Sequence, residues 1–317
     1  YKGNMINFSV FGVSLIMSFI ICFFYKKIWN FKFNGIKIPT GFGILLSVFL
    51  LVYAVIFELS IFLYISILIL SFIYWIDDIK SLPATVRFFL QFFLGAIISI
   101  LALESSSIQF GYEYILFVFI SGIFNIFLTN IFNFYDGLDL NLSTLIILFA
   151  LTILFAFSKD KNLVPQAYLI IGFILGFSFF NFKSNNIFFG DAGCFIVGSY
   201  CTYIITNSYL LGNFNFLYFA SFLALPCFDV FYVVLLRLYM KENLLTRNYH
   251  HLYHKSYYYF KNKSYLLNQL INAILIILCH LVIRNDDISD EYSFLISSIL
   301  VTPIFYFVFR KIVIKEK

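Results

Sequence analysis

Charged side chains are scarce in this chain: they make up only 12% of its 317 residues, against 62% hydrophobic ones. A water-soluble domain of this length has too small an interior to hide that much apolar surface, so a soluble globular protein is excluded and an all-α polytopic membrane protein is expected. Cysteine is equally uninformative as chemistry. Cys22, Cys194, Cys201, Cys227 and Cys279 lie within or beside apolar runs, with neither metal-ligand spacing nor a disulfide framework, and read as small packing residues. There is no Gly/Ser linker, no internal repeat and no extramembrane domain, so a single transmembrane domain over 1–317 is expected. The formal net charge of +5 is small, and basic loops on one side of a membrane account for it without nucleic acid. Phe, Ile, Tyr, Asn and Lys are used so heavily that single instances say little, which leaves Gly, Asp and His as the informative residues.

Apolar runs at 8–25, 41–57, 61–76, 88–103, 114–132, 142–157, 166–181, 193–211, 216–238, 265–283 and 292–309 predict about eleven transmembrane helices. The first of them, Phe8–Tyr25, is expected to remain as a helix rather than be cleaved as a signal peptide. Of the 21 lysines and arginines, 17 fall in the odd-numbered connections and the C-terminal tail. Basic loops stay inside, so the N-terminus is expected outside and the C-terminus in the cytoplasm.

With that topology every acidic motif falls on the cytoplasmic side. Asp77 and Asp78 end the third apolar run, where the helix dipole disfavours negative charge; two adjacent carboxylates there suggest a divalent ion or a raised pKa. Ser81-Leu82-Pro83 then reads as the cap and first turn of the next helix. Asn130, Asn133 and Asp136 follow at one-turn intervals and line one helix stripe, as polar groups facing a bundle interior do. Asp139 either belongs with them or caps the following helix. Asp191, bracketed by Gly190 and Gly193, is either a helix cap or a metal-binding aspartate beside backbone amides that could meet phosphate. Three of the four histidines, His250, His251 and His254, fall within five residues in the most basic connection. His250 and His254 would share a helix face. Zinc lacks a nearby cysteine or carboxylate there, so contact with a nucleotide or with anionic lipid fits better. Asp229, inside an apolar run, needs a partner, for which Arg237 two turns on is the candidate.

The ordered set of motifs resembles the polyprenyl-phosphate N-acetylhexosamine-1-phosphate transferases, members of glycosyltransferase family 4. The matching stretches are Asp77-Asp78 with Leu82, Arg87 and Gln91; Asn130, Asn133, Asp136, Gly137 and Asp139; Asn181; Phe189-Gly190-Asp191-Ala192-Gly193; Phe228-Asp229; and the histidine cluster. Pro39-Thr40-Gly41-Phe42-Gly43 looks like a shortened form of the family's first cytoplasmic loop. The chain departs from the family at Cys194, where serine is usual, at Leu140, where glycine is usual, and in the register of the histidine motif, where Asn248 takes the first position. Eleven helices resemble the glycan-initiating, undecaprenyl-phosphate N-acetylglucosamine-1-phosphate transferase branch more than the ten-helix muramoyl-pentapeptide branch of peptidoglycan synthesis.

The resemblance implies transfer of a sugar phosphate from a UDP-sugar to polyprenyl phosphate at the inner face of the plasma membrane. Active-site loops are expected at 77–87, 130–141, 182–193 and 238–264. It implies Asp191 as the ligand of Mg²⁺, with Mn²⁺ as substitute, and Asp77 and Asp78 as catalytic residues assisting the metal or the acceptor phosphate. Substrate binding would fall to Asn130, Asn133, Asp136, Asp139, Asn181, His250, His251 and His254. The expected partners are the lipid phosphate, the UDP-sugar, the membrane and a second copy of the chain, with no nucleic acid. A secondary transporter is the rival from another class, but it would place acids near the bilayer midplane rather than at one face.

Overall fold

The computed structural model describes residues 2–33, 38–104, 111–182, 187–243, 249–260, 264–283 and 289–315. All regular structure among them is helical, in thirteen elements. They fall into two compact units, Tyr1–Asn213 and Phe214–Lys317.

The first unit holds α1 (Lys2–Phe33), α2 (Ile44–Ile56), α3 (Ile61–Ile79), α4 (Ala84–Leu103), α5 (Tyr112–Tyr135), α6 (Asn141–Ala156), α7 (Leu163–Asn181) and α8 (Gly190–Leu210). Its centre is α8, which packs against α2, α3, α4 and α5. That helix is rich in Gly, Ser, Thr, Cys and Tyr and is buried on nearly every side, because it is wrapped by helices that carry the lipid-facing surface instead. Phe62, Phe89 and Phe119 are examples of the apolar side chains those outer helices expose. Helix α1 lies along α7. Gly172 and Gly176, four residues apart, let the two backbones meet, since a Cβ at either would strike Phe11, Ser14, Leu15 or Ser18.

The second unit holds α9 (Phe216–Ser221), α10 (Ala224–Tyr239), α11 (Leu252–Phe260), α12 (Ser264–Ile283) and α13 (Asp290–Lys315), with α13 packed against each of the other four. Leu225, Leu252, Phe305, Tyr306 and Phe309 form its buried core.

Among the described residues six helices are long and apolar enough to cross a membrane: Met5–Lys32 within α1, α3, α4, α5, α7 and Asp290–Ile312 within α13. Ile44–Ile56 and Asn141–Ala156 are shorter apolar helices. The element count differs from eleven for two local reasons. The apolar run 216–238 is split into α9 and α10, since Pro226 lacks the N–H that would bond the Phe222 carbonyl. The connection carrying the histidines contains a helix of its own, α11.

Candidate active site

The site is built around the first turn of α8. The chain enters it through an extended segment held by backbone bonds: Phe188 N–H donates to the Pro39 carbonyl at 2.9 Å, and Gly43 N–H to the Phe189 carbonyl at 2.9 Å. Gly190 then adopts φ +83°, where a Cβ would press on the Gly41 amide nitrogen and lie 2.6 Å from Asp78 Oδ2. Only glycine suits both that dihedral angle and that approach. The shortened loop Pro39-Thr40-Gly41-Phe42-Gly43 therefore has a definite task, which is to clamp the start of α8.

The free amides of this helix start are taken by carboxylates from two other helices. Asp136, just past the end of α5, accepts from Gly190 N–H at 2.8 Å. Asp78, in the last turn of α3, accepts from Asp191 N–H at 2.9 Å and Ala192 N–H at 3.2 Å. Thr40 Oγ1 lies 3.3 Å from Asp78 Oδ1 and donates to it. Helix starts are electropositive and orient such anions well. The sequence left the amides around Asp191 open as phosphate contacts; those of Gly190, Asp191 and Ala192 are instead engaged by Asp136 and Asp78. Loss of hydration pushes the Asp136 carboxyl well above the usual range; the Gly190 N–H opposes that rise, and the Asp78 and Asp191 charges add to it.

Asp191 itself turns away from these amides. Its Oδ1 accepts from Asn133 Nδ2 at 2.5 Å and its Oδ2 from Arg87 Nη1 at 3.3 Å, with the side chain about one-third exposed. The same Arg87 nitrogen lies 3.8 Å from Asp77 Oδ2. Asp77 Oδ1 accepts from Leu82 N–H, whereas Oδ2 is buried without a hydrogen-bond partner. Arg87 is held from behind, because Tyr74 O–H donates to its carbonyl at 2.6 Å. Asp77, Asp78, Asn133, Asp136 and Asp191 thus converge on one helix terminus.

Other expected residues serve as supports. Asn130 donates to Gln91 Oε1 at 2.9 Å and to the Ile126 carbonyl, so it ties α5 to α4 rather than reaching Asp191. Asn181 accepts from Leu140 N–H at 2.7 Å and donates to the Ile187 carbonyl at 2.8 Å, bracing the turn before α6 against the segment entering α8. Asp139 lies within that turn. Helix α4 begins at Ala84 with Pro83 at its cap position, so Ser81 is not the cap; the Asp77 carboxylate meets Leu82 instead. Arg87 is the residue that motif reading undervalued. The signal was available, since it is the one cation in the first turn of α4, the helix that follows the aspartate pair.

The histidines belong to the second unit. His250 precedes α11 and so does not share a helix face with His254, as Leu252 is the first helical residue. Nearby carboxylates do exist: Glu242 Oε1 lies 3.1 Å from His250 Nε2, and Asp229 Oδ2 lies 2.8 Å from His251 Nδ1. Asp229 is not paired with Arg237, whose Nε donates to Glu242 at 3.2 Å. The expected position Asn248 lies outside the described residues. Among the described residues no three His, Cys, Asp or Glu side chains come close enough together to enclose a metal ion on their own.

Apolar spans around an aspartate-lined helix terminus define an integral-membrane protein that handles charge at the ends of its helices. Residues 60–209, a little under half of the chain, match the family model of glycosyl transferase family 4. The match takes in α3 to α8 and with them Asp77, Asp78, Arg87, Asn133, Asp136 and Asp191. No curated protein matches the chain. That match supports a transferase function, of the kind that moves a sugar phosphate onto a polyprenyl phosphate.

Proposed function

We propose that the protein transfers an N-acetylhexosamine-1-phosphate from a UDP-sugar to polyprenyl phosphate, giving the lipid-diphosphate sugar and UMP, as the first step of a cell-envelope glycan. The observation that carries this reading is a charge imbalance. Four carboxylates surround the start of α8, and among the described residues the cation that pairs with them is the single guanidinium of Arg87. Within this set Asp77 Oδ2 is buried without a hydrogen-bond partner while Asp191 reaches solvent.

Those oxygens fit a magnesium ion. Mg²⁺ is usually held by one or two carboxylates together with waters and substrate phosphates, and Asp191 and Asp77 can supply those carboxylates. Asp191 would hold the ion and Asp77 assist; bound there, it would neutralise the two phosphates that must approach each other. Mn²⁺ would substitute. The chain's own groups supply the rest. Asn133 orients the Asp191 carboxylate, and Asp78 and Asp136 fix the helix start that carries it. An oxygen of the lipid phosphate attacks the sugar-linked phosphorus, the bridging P–O bond breaks, and UMP departs. Arg87, beside Asp191, would receive negative charge, and His250, half-buried on Glu242, would contact the nucleotide. The excess of Lys and Arg in the odd-numbered connections supports a site on the cytoplasmic face of the plasma membrane.

The test is release of UMP by purified protein in detergent with Mg²⁺, across a panel of UDP-sugars with and without polyprenyl phosphate. Release that requires both a UDP-N-acetylhexosamine and the lipid supports the proposal. Release from UDP-N-acetylmuramoyl-pentapeptide alone would move the protein to the peptidoglycan branch, and no release from any donor would end the proposal.

A further inference from the structure

The second unit contains a buried polar network around the turn that carries His250 and His251. Asp229 of α10 is fully buried, and His251, Tyr306 and Arg310 nearly so. Asp229 Oδ1 takes two hydrogen bonds, from Leu252 N–H at 2.9 Å and from Tyr306 O–H at 2.8 Å. Its Oδ2 faces His251 Nδ1 at 2.8 Å. Arg310 of α13 donates through Nη1 to the Tyr306 oxygen at 3.0 Å and to the His250 carbonyl at 2.9 Å. Its guanidinium also sits 4.8 Å above the Tyr232 ring. The carbonyl of His250 and the N–H of Leu252, on either side of His251, are therefore gripped from two helices.

Donor and acceptor rules assign the protons. Arginine only donates, so Tyr306 accepts from Arg310 and must send its own hydrogen to Asp229. Arg310 stays charged, and the Asp229 carboxylate is its counter-ion, joined to it through the Tyr306 hydroxyl. With that pair balanced, the imidazole need not be charged. A carboxylate only accepts, so the His251 nitrogen facing it carries the proton. The neighbouring pair Arg237–Glu242, with His250 on Glu242, is a separate ion pair on the same turn.

We infer that Asp229 is a positioning residue, which together with Tyr306 and Arg310 clamps the His250–Leu252 turn and holds His251 as the neutral Nδ1–H tautomer. The clamp fixes where the half-buried His250 is presented, which the fold requires because His250 itself lies outside any helix. The activity consequence rests on the proposed transferase function; the tautomer does not.

The experiment uses ¹⁵N-histidine NMR of the full chain in detergent, with the His251 signal identified by its loss in His251→Gln. The wild type is expected to show a protonated Nδ1 and a bare Nε2. In Asp229→Asn the amide oxygen still serves Leu252 and Tyr306, but its NH₂ now faces Nδ1, so the proton is expected to move to Nε2. A wild-type proton on Nε2, or the same tautomer in folded Asp229→Asn, overturns the inference; should that variant not fold, the wild-type spectrum decides alone. UMP release by Asp229→Asn is expected to fall about tenfold or more, as when a group that orients a histidine is neutralised. A wild type that releases no UMP while showing the expected tautomer would reject the transferase reading and leave the clamp standing.

Discussion

Two regions of the molecule gather aspartates, and they treat them in opposite ways. In the second unit Asp229 is sealed from solvent, receives three donors and is matched by Arg310 through one hydroxyl. In the first unit four aspartates crowd one helix start beside Arg87, and one buried oxygen, Asp77 Oδ2, has no hydrogen-bond partner. Burial of a charge is tolerated when every lone pair and the net charge are satisfied. Where they are not, a cation of the kind proposed above would complete the site. Asp229 is therefore built for architecture, and Asp191 for a ligand.

The largest effects should fall on either side of that contrast. Asp229→Ala leaves Arg310 buried without its counter-ion and should cost about 3–5 kcal/mol of stability, seen as a much lower thermal unfolding temperature in detergent. Asp191→Asn should cause no comparable loss in Mg²⁺-free buffer, because it removes repulsion and keeps an acceptor for Asn133. Its turnover should nevertheless fall about 10²–10³-fold, similar to loss of one strong transition-state contact. Full activity in that variant, or unfolding as severe as that of Asp229→Ala, would erase the distinction.

Metal supply sharpens it further. Mg²⁺ at a hundred times its dissociation constant should raise the stability of the wild type by about 2.7 kcal/mol through binding to the folded state alone. The shift should shrink in Asp191→Asn and Asp77→Asn and persist undiminished in Tyr306→Phe, measured by thermal unfolding with and without EDTA. Next in size is Asp78→Ala, which strips the Asp191 and Ala192 amides of their acceptor and should cost about 1–2 kcal/mol, as loss of a helix cap does. Asp78→Asn retains an acceptor and should cost less than half of that.

Much of the site was legible because its determinants are local. Helical periodicity correctly aligned Asn133 with Asp136, since both lie at the end of α5 that meets α8. The glycines around Asp191 announced a helix start, and Gly190 does occupy the dihedral region that calls for glycine. What local pattern could not convey was the choice of partner between helices. Asn130 shares the stripe of Asn133 but sits one turn earlier in α5, where Gln91 of α4 captures it. Asp229 has Arg237 two turns away along its own helix, yet its partners come from the turn before α11 and from α13. Arg310 looked like one more charge of a basic tail, though it is nearly buried and helps hold the histidine turn. Contacts of that kind depend on tertiary packing, which no single helix encodes.

The smallest effect concerns Leu140, where the family that the chain resembles usually has glycine. Leu140 caps α6 with φ +58°, in the left-handed region that costs a residue bearing a Cβ roughly 1–2 kcal/mol. The turn endures this because Asn181 accepts from the Leu140 amide and Asn141 donates to the Tyr135 carbonyl at 3.0 Å, so the surroundings dictate the conformation. Leu140→Gly relieves the strain but enlarges the freedom of the unfolded chain and gives up the leucine's half-buried contacts, both of which act against it. The net gain should therefore be small, below about 1 kcal/mol, with UMP release unchanged within twofold. In an Asn181→Ala background the Leu140 amide loses its acceptor, and the same glycine substitution should help more than it does in the wild type. An equal gain in both backgrounds would mean that the backbone at Leu140, rather than Asn181, sets the geometry of the turn.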